Sequence, residues 1–446
     1  METTGTSPEE VGGSASGAPE TATPGWLSLV QPAVQVAVII AALVALVMWL
    51  PDTLDSWDNE LESDFPNFNG AALLVREGLG GQLYAERPDF GDRELREYCD
   101  IAQPGASAGG GGPHFACRAL LGNFRSPPSL IVAYLPISFL PGDTPYHVSF
   151  ALCAMGALAL AALPLRHLQS RLSQAAFFLG VLSLPILQLS VRLSQPSVLY
   201  ALAAYGGFML NARGQPALAG AAFAVLSFKP QFLILPLAFL CYTRAWATAA
   251  WTAGVSGALL ITGAALVGPE AVGNYVDLNL ELLERGPVAL QQAWMYNWEG
   301  FLRVLTGGPQ QLIARLLGLA TLVVLVSLWV RRPDIAPAAS IAASVLAMPY
   351  ALFYDWTLLA AAAGLAVAAL AVPQERAFAG GLMVMVWAAI WATQPSLPLF
   401  GTGGTTLPDG TIYWSTLSLA LALILALASY APGVARTFNA SATLRR

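Results

Sequence analysis

The stretch "WLSLVQPAVQVAVIIAALVALVMWL", residues 26–50, runs for 25 positions without one charged side chain. About 20 apolar residues in a helix cross the hydrocarbon core of a bilayer, so this run is long enough to span. It is too long for the apolar core of a secretion signal, and no Lys or Arg precedes it to make a positive n-region. It therefore reads as a retained transmembrane helix. The leader "METTGTSPEEVGGSASGAPETATPG", residues 1–25, holds Gly, Ser, Thr, Pro and four glutamates, a composition that cannot bury enough apolar surface to fold. It reads as a disordered cytoplasmic tail. The whole chain follows the same lead: 56% of its residues are hydrophobic and 11% charged, against about 25% charged in soluble domains. The net charge of −6 owes four units to the tail and says little about partners.

Outward from that run, further apolar segments fall near 145–163, 175–190, 197–211, 215–228, 230–243, 246–267, 311–330, 335–349, 356–372, 378–394 and 412–430. The expectation is an all-α polytopic membrane protein with about 10–12 transmembrane helices spread over residues 26–430, followed by a cytoplasmic tail at 431–446. Some segments are short, and the pair 215–228 and 230–243 reads as broken or partly re-entrant helices. With a cytoplasmic N-terminus, alternation puts Arg166, Arg171, Arg213, Arg244, Arg331, Arg332, Arg376, Arg436, Arg445 and Arg446 inside. Arg192 is the exception. The long loops 51–144 and 268–310 then face outward, in a plasma (inner) membrane location with the chemistry on the extracytoplasmic side.

The first outer loop is acidic: Asp52, Asp55, Asp58, Glu60, Glu62 and Asp64 crowd its start. Phe65, Phe68, Ala72 and Val75 recur at helical spacing, with Pro66 in the opening turn and Gly78 at the stop, so a short helix on the membrane surface is expected with Asp64 at its head. The plain reading of Asp64 is a cap. "SPPSLIVAYLPISFLPGD", residues 126–143, is too Pro-broken for a clean span and reads as re-entrant or interfacial. Cys99 and Cys117 bracket the Gly-rich linker "QPGASAGGGGP" and are expected to form a disulfide in an oxidising exterior. The three His at 114, 147 and 167 are scattered, so no metal site, nucleotide loop or cofactor is indicated, and no nucleic-acid partner is expected. Trp294, Tyr296 and Trp298 read first as an interfacial aromatic belt and second as a sugar platform; Asn297 and Glu299 beside them are candidates for contacting an acceptor.

Four stretches together carry a resemblance: "DFPNFNGAALLVREGLGGQLY", "SPPSLIVAYLPISFLP", "SQPSVLYALAAYGGFMLNARGQPALAGAAFAVLSFKPQFLILPLAFL" and "MPYALFYDWTLL". In this order, behind a single N-terminal span, they resemble glycosyltransferase family 87, bacterial polyprenol-phosphate-mannose-dependent mannosyltransferases of the GT-C fold. The resemblance implies that Asp64 is the family's essential aspartate, with Phe68, Ala71, Ala72, Gly78 and Tyr84 completing its pattern. It implies that Gln195 stands in the family's Gly-Gln, with Ser194 in place of the Gly, and that Lys229 and Pro230 form its Lys-Pro. Pro349, Tyr354 and Asp355 match the late motif, although Tyr350 occupies the expected His position.

The chemistry agrees with this. Transfer from a lipid phosphate expels a phosphate monoester, a good leaving group, so one carboxylate that deprotonates the acceptor suffices where glycosidases need two. The departing phosphate needs positive charge, and Lys229, the chain's single lysine, sits between two apolar runs where a lone charge is costly unless it is functional or snorkels to the interface. The expected partners are a polyprenyl-phosphate sugar donor, a lipid or glycan acceptor, and membrane lipids. Asp64 is the expected base; Lys229, Gln195, Arg192, Asp355, Tyr354, Asn297, Glu299 and Asp58 are candidates for binding substrate. The rival readings are a polytopic secondary transporter and a non-catalytic cell-envelope assembly protein on the same scaffold.

Overall fold

The computed structural model describes residues 25–58, 63–84, 124, 126–285, 295, 297–306, 310–348 and 350–369. The N-terminal tail, Glu60, Glu62, Cys99 and Cys117 with their disulfide, Trp294, Tyr296, Pro349, the segments at 378–394 and 412–430, and the C-terminal tail lie outside them.

Helices α1 (Gly25–Asp55), α2 (Phe65–Arg76), α3 (Ser129–Tyr134), α4 (Thr144–Ala162), α5 (Arg171–Leu182), α6 (Pro185–Arg192), α7 (Ser197–Ala212) and α8 (Pro216–Ala224) make up the first half. Then come α9 (Pro230–Tyr242), α10 (Trp246–Val267), α11 (Pro269–Arg285), α12 (Trp298–Thr306), α13 (Gln311–Arg331), α14 (Ala336–Ala347) and α15 (Leu358–Ala369). Among the described residues there is no strand, only one isolated antiparallel bridge between Met295 and Leu352. The molecule is an all-α polytopic membrane protein.

Proline and glycine punctuate the bundle. Prolines open α6, α8, α9 and α11, where a missing N–H costs nothing. Gly214 and Gly268, at φ 71° and 89°, turn the chain after α7 and α10 in a conformation that side chains disfavour. Among the described residues, Thr144–His167, Trp246–Val267 and Gln311–Arg331 are individually long and apolar enough to cross a membrane. The segment expected as one span at 175–190 is instead α5 and α6, which meet at 51° because Pro185 cannot continue the preceding helix. The expected number of crossings is approached only by including shorter apolar helices such as Ser197–Ala212 and Ala336–Ala347. These are flanked by protein: nine residues of α14 are buried. Large apolar side chains instead line the outer faces of α1 (Ile40, Val44, Val47), α10 (Trp251, Ile261) and α13 (Leu312, Leu319, Val323, Val330), as lipid contact requires. Edge-to-face contacts of Phe208 with Phe223 and Phe239, and of Phe239 with Trp329, tie α7, α8, α9 and α13 together.

The turns segregate to two ends. Arg166, Arg171, Arg213, Arg244, Arg331 and Arg332 lie at one, where Asn211 accepts from Thr248 at 2.6 Å and the Trp329 ring lies tilted 5.5 Å from that of Tyr242. The end of α1, the starts of α4 and α7, the α8 to α9 turn and the α14 to α15 loop lie at the other. The second long loop is not wholly irregular, since 17 of its residues, Pro269–Arg285, form α11. The short helix expected behind Asp64 is α2, and it packs closely into the protein. Eight of its twelve residues are buried under α3 and α4, because Phe65 finds Tyr134 and Tyr146 at 6.1 and 5.6 Å and Arg76 reaches back to the Ser138 carbonyl at 2.6 Å.

Candidate active site

Asp64 precedes α2, whose start is set by Pro66. Its backbone is already helical (φ −85°, ψ −4°), so its side chain makes no capping bond and is free to turn elsewhere. It turns to Gln195, whose Nε2 donates to Oδ2. The Asp64 N–H donates to the Leu193 carbonyl at 3.1 Å, so both main chain and side chain are fastened to the turn between α6 and α7. Burial raises the carboxyl's pKa above the ordinary 3.8; the Gln195 bond and the charge of Lys229 pull the other way. The result is a desolvated carboxylate more basic than one in water.

The turn that holds Asp64 is a helix C-terminus. Ser194 and Gln195 close α6 by donating to the Val191 and Ser190 carbonyls at 2.9 and 2.8 Å, with Ser194 in the left-handed region at φ 49°. The position where the resemblance expects Gly is thus one where Gly fits without strain. The Gln195 carbonyl accepts from Cys153 Sγ at 3.4 Å. Arg192, the exception to the arginine pattern, is buried, with Nε on Ser56 Oγ at 3.1 Å and Nη1 on Asp52 at 3.4 Å. Its charge is met by protein, which is why it tolerates the end away from the other arginines.

Lys229 arrives from a third direction. Helix α8 tightens into a 3₁₀ turn, Val225–Phe228, and Lys229 (φ −138°, ψ 81°) breaks the path before Pro230 opens α9. This is the break expected from the Lys-Pro sequence. The ammonium donates to Asp355 Oδ1 at 2.6 Å and lies 4.6 Å from the centre of the Tyr354 ring. Asp355 is 0% exposed, and its other oxygen accepts from the Leu352 N–H at 3.0 Å. Gln231 donates to the Tyr350 carbonyl at 3.2 Å, pinning the same loop to α9.

The structure therefore gathers Asp64, Gln195, Lys229, Tyr354 and Asp355, with Arg192 on the adjoining turn. It does not bring all the candidates there as free groups. Asn297 caps α12, accepting from the Gly300 N–H at 3.0 Å and donating to the Met348 carbonyl at 2.9 Å, so its amide braces the α14 to α15 loop. Trp298 donates to Thr321 at 2.9 Å and packs on α13. Half-buried Glu299 has its pKa raised by burial, opposed by Arg315 and Arg303. The side chain of Asp58 lies outside the described residues. Reasoning on sequence missed Ser197, Tyr200 and Ser227, whose buried hydroxyls have no hydrogen-bond partner among the described residues. Serines and a tyrosine inside apolar runs gave no signal. Among the described residues no three His, Cys, Asp or Glu side chains converge as a metal site.

A family model described as glycosyltransferase family 87 matches residues 124–353, just over half of the chain. The match takes in Gln195 and Lys229 and stops one residue short of Tyr354; Asp64 lies before it. No curated protein and no solved structure gives a match.

Proposed function

Since the chain belongs to glycosyltransferase family 87 and is thus a membrane transferase with a sugar donor and an acceptor, we propose that it moves mannose from a polyprenyl phosphate to a lipid or glycan acceptor, with Asp64 as the general base. Asp64 takes the proton of the acceptor hydroxyl as that oxygen attacks the anomeric carbon. The bond from this carbon to the phosphate oxygen breaks, its electron pair leaves with the polyprenyl phosphate, and the proton stays on Asp64. Lys229 faces the charge that develops on the departing phosphate, in surroundings that exclude water and so strengthen the attraction. Asp355 acts through Lys229: it is a positioning residue that fixes the ammonium and, by its Leu352 contact, the loop carrying Tyr354.

The observation that carries this reading is the Asp64 carboxylate, which is not used as a cap, is fastened by Gln195, and is near enough to Lys229 to feel its charge. The reaction faces the extracytoplasmic side of the plasma membrane in this reading. Proteoliposomes carrying the full chain are to be supplied with radiolabelled polyprenyl-phosphate mannose and with other lipid-linked sugars. Label moving to a new lipid or polymer from the mannose donor, and lost in Asp64→Asn, is the expected result. Transfer from another donor alone overturns the sugar assignment, and undiminished transfer by Asp64→Asn overturns the base.

A further inference from the structure

The hydroxyls of Ser197, Tyr200 and Ser227 are buried, at 0%, 1% and 7% residue exposure, and none has a partner among the described residues. Leaving a donor unpaired in an apolar interior is costly, so such groups mark a place that a polar ligand or water fills. Their placement says which. Ser197 and Tyr200 lie one turn apart on α7 and face the same way. Ser227 lies on the 3₁₀ turn that packs against α7 and ends at Lys229. The Tyr200 ring is 6.5 Å from Phe228, the residue before Lys229, whose ammonium is bonded to Asp355.

The neighbouring acceptor is already taken. Both Asp355 oxygens are engaged, one by Lys229 and one by the Leu352 N–H. What the place still offers is donors: three hydroxyls, and the ammonium protons that Asp355 does not hold. A group made almost wholly of acceptor oxygens fits that supply, and a phosphate is such a group.

We infer that Ser197, Tyr200 and Ser227 form a buried row of hydroxyl donors that, with Lys229, binds the phosphate oxygens of the polyprenyl-phosphate donor. This rests on the donor assignment proposed above. The row divides the work: Lys229 supplies charge, and the hydroxyls supply direction, holding the phosphate so that the anomeric carbon faces the acceptor.

Equilibrium binding to the full chain in nanodiscs tests this, with geranylgeranyl phosphate as probe, geranylgeraniol as its uncharged counterpart and inorganic phosphate as competitor. The wild type is expected to prefer the prenyl phosphate. Tyr200→Phe and Ser227→Ala are each expected to weaken it by about tenfold to a hundredfold, the usual worth of a bond to a charged group, leaving geranylgeraniol binding unchanged. Because each variant removes an unpaired hydroxyl, the melting midpoint without ligand should hold or rise. Wild-type affinity for the prenyl phosphate in both variants overturns the inference, as does a lowered midpoint with unchanged affinity, which marks a structural role. A raised KM for the sugar-bearing donor with unchanged prenyl-phosphate binding gives the hydroxyls to the sugar and overturns it too. Displacement of the probe by equimolar inorganic phosphate assigns the row to a free anion instead. Absence of any phosphate preference in the wild type removes the donor assignment itself, and the inference with it, a failure visible before any variant is made.

Discussion

Among the described residues the side chains of Asp64 and Lys229 each make one hydrogen bond, to Gln195 and to Asp355, and those partners separate the structural from the chemical part of their roles. An Asn at 64 keeps an oxygen for Gln195 to donate to and loses the base, so Asp64→Asn should fold and insert normally while transfer falls by about a hundredfold to ten-thousandfold. The active form of Asp64 is the carboxylate, so kcat/KM should fall as pH drops through its raised pKa, above 3.8. Gln195 lowers that pKa, so Gln195→Ala should move the acid limb of the pH profile to higher pH; an unmoved limb separates Gln195 from the base. The ion pair behaves differently. Asp355→Ala strands a nearly buried ammonium and should cost about 3 kcal/mol or more, with a lower midpoint in thermal unfolding. Replacing both partners, Lys229→Met with Asp355→Leu, should recover much of that stability and none of the transfer. Recovered transfer would make the pair purely structural. Lys229 stood out in the sequence because a single lysine between apolar runs is costly, but its ion-pair partner did not. Asp355 stands 126 residues away, and only tertiary packing selects it from the other carboxylates.

At the scale of the element, helix ends place the site, and two of them carry testable strain or closeness. Ser194 ends α6 with φ 49°, a region that costs a residue with a side chain about 1 kcal/mol relative to Gly. Ser194→Gly should raise stability by about that amount and leave transfer intact, measured by thermal unfolding and turnover on one preparation. Gly263 on α10 has the opposite constraint: a Cβ there meets the backbone of Pro128 and Ser129, just before and at the start of α3. Gly263→Ala should cost about 1–3 kcal/mol by forcing the two apart. Most element boundaries were written in hydropathy and in prolines, and Pro230 announced the break that carries Lys229. The break before Pro185 carried the same mark and went unread, because the apolar run continues on both sides of it. Helix α11 was hidden for another reason: Glu270, Asp277, Glu281 and Glu284 make it read as loop, although Ala271, Val272 and Tyr275 keep a helical apolar face. The left-handed Ser194 had no signal in composition at all. It takes the resemblance, with Gly expected there, to point at the backbone.

Over the whole molecule, charge and chemistry separate along the bundle axis. The arginines of the α4 to α5, α7 to α8, α9 to α10 and α13 to α14 turns sit at one end, and Asp64, Gln195, Lys229 and Asp355 sit at the other. Sequence alternation anticipated this separation because each turn was short and the apolar runs were countable. Among the short turns of the described residues Arg192 is the exception, and there Asp52 pairs with it at 3.4 Å. Short loops rich in Arg are retained on the cytoplasmic side during insertion, so the arginine end should be inside and the site outside. In a background with the four cysteines removed, Pro141→Cys lies exposed near the start of α4 at the site end, and Arg213→Cys lies exposed in the turn after α7. An impermeant maleimide added to intact cells should label Pro141→Cys, and Arg213→Cys should react only after the membrane is opened. Labelling of Arg213→Cys in intact cells, with Pro141→Cys protected, would invert the molecule and put the Asp64 carboxylate on the cytoplasmic side. It would then have to draw its lipid-linked donor from the inner leaflet, and the proposed extracytoplasmic transfer would fail while the internal geometry of the site stood.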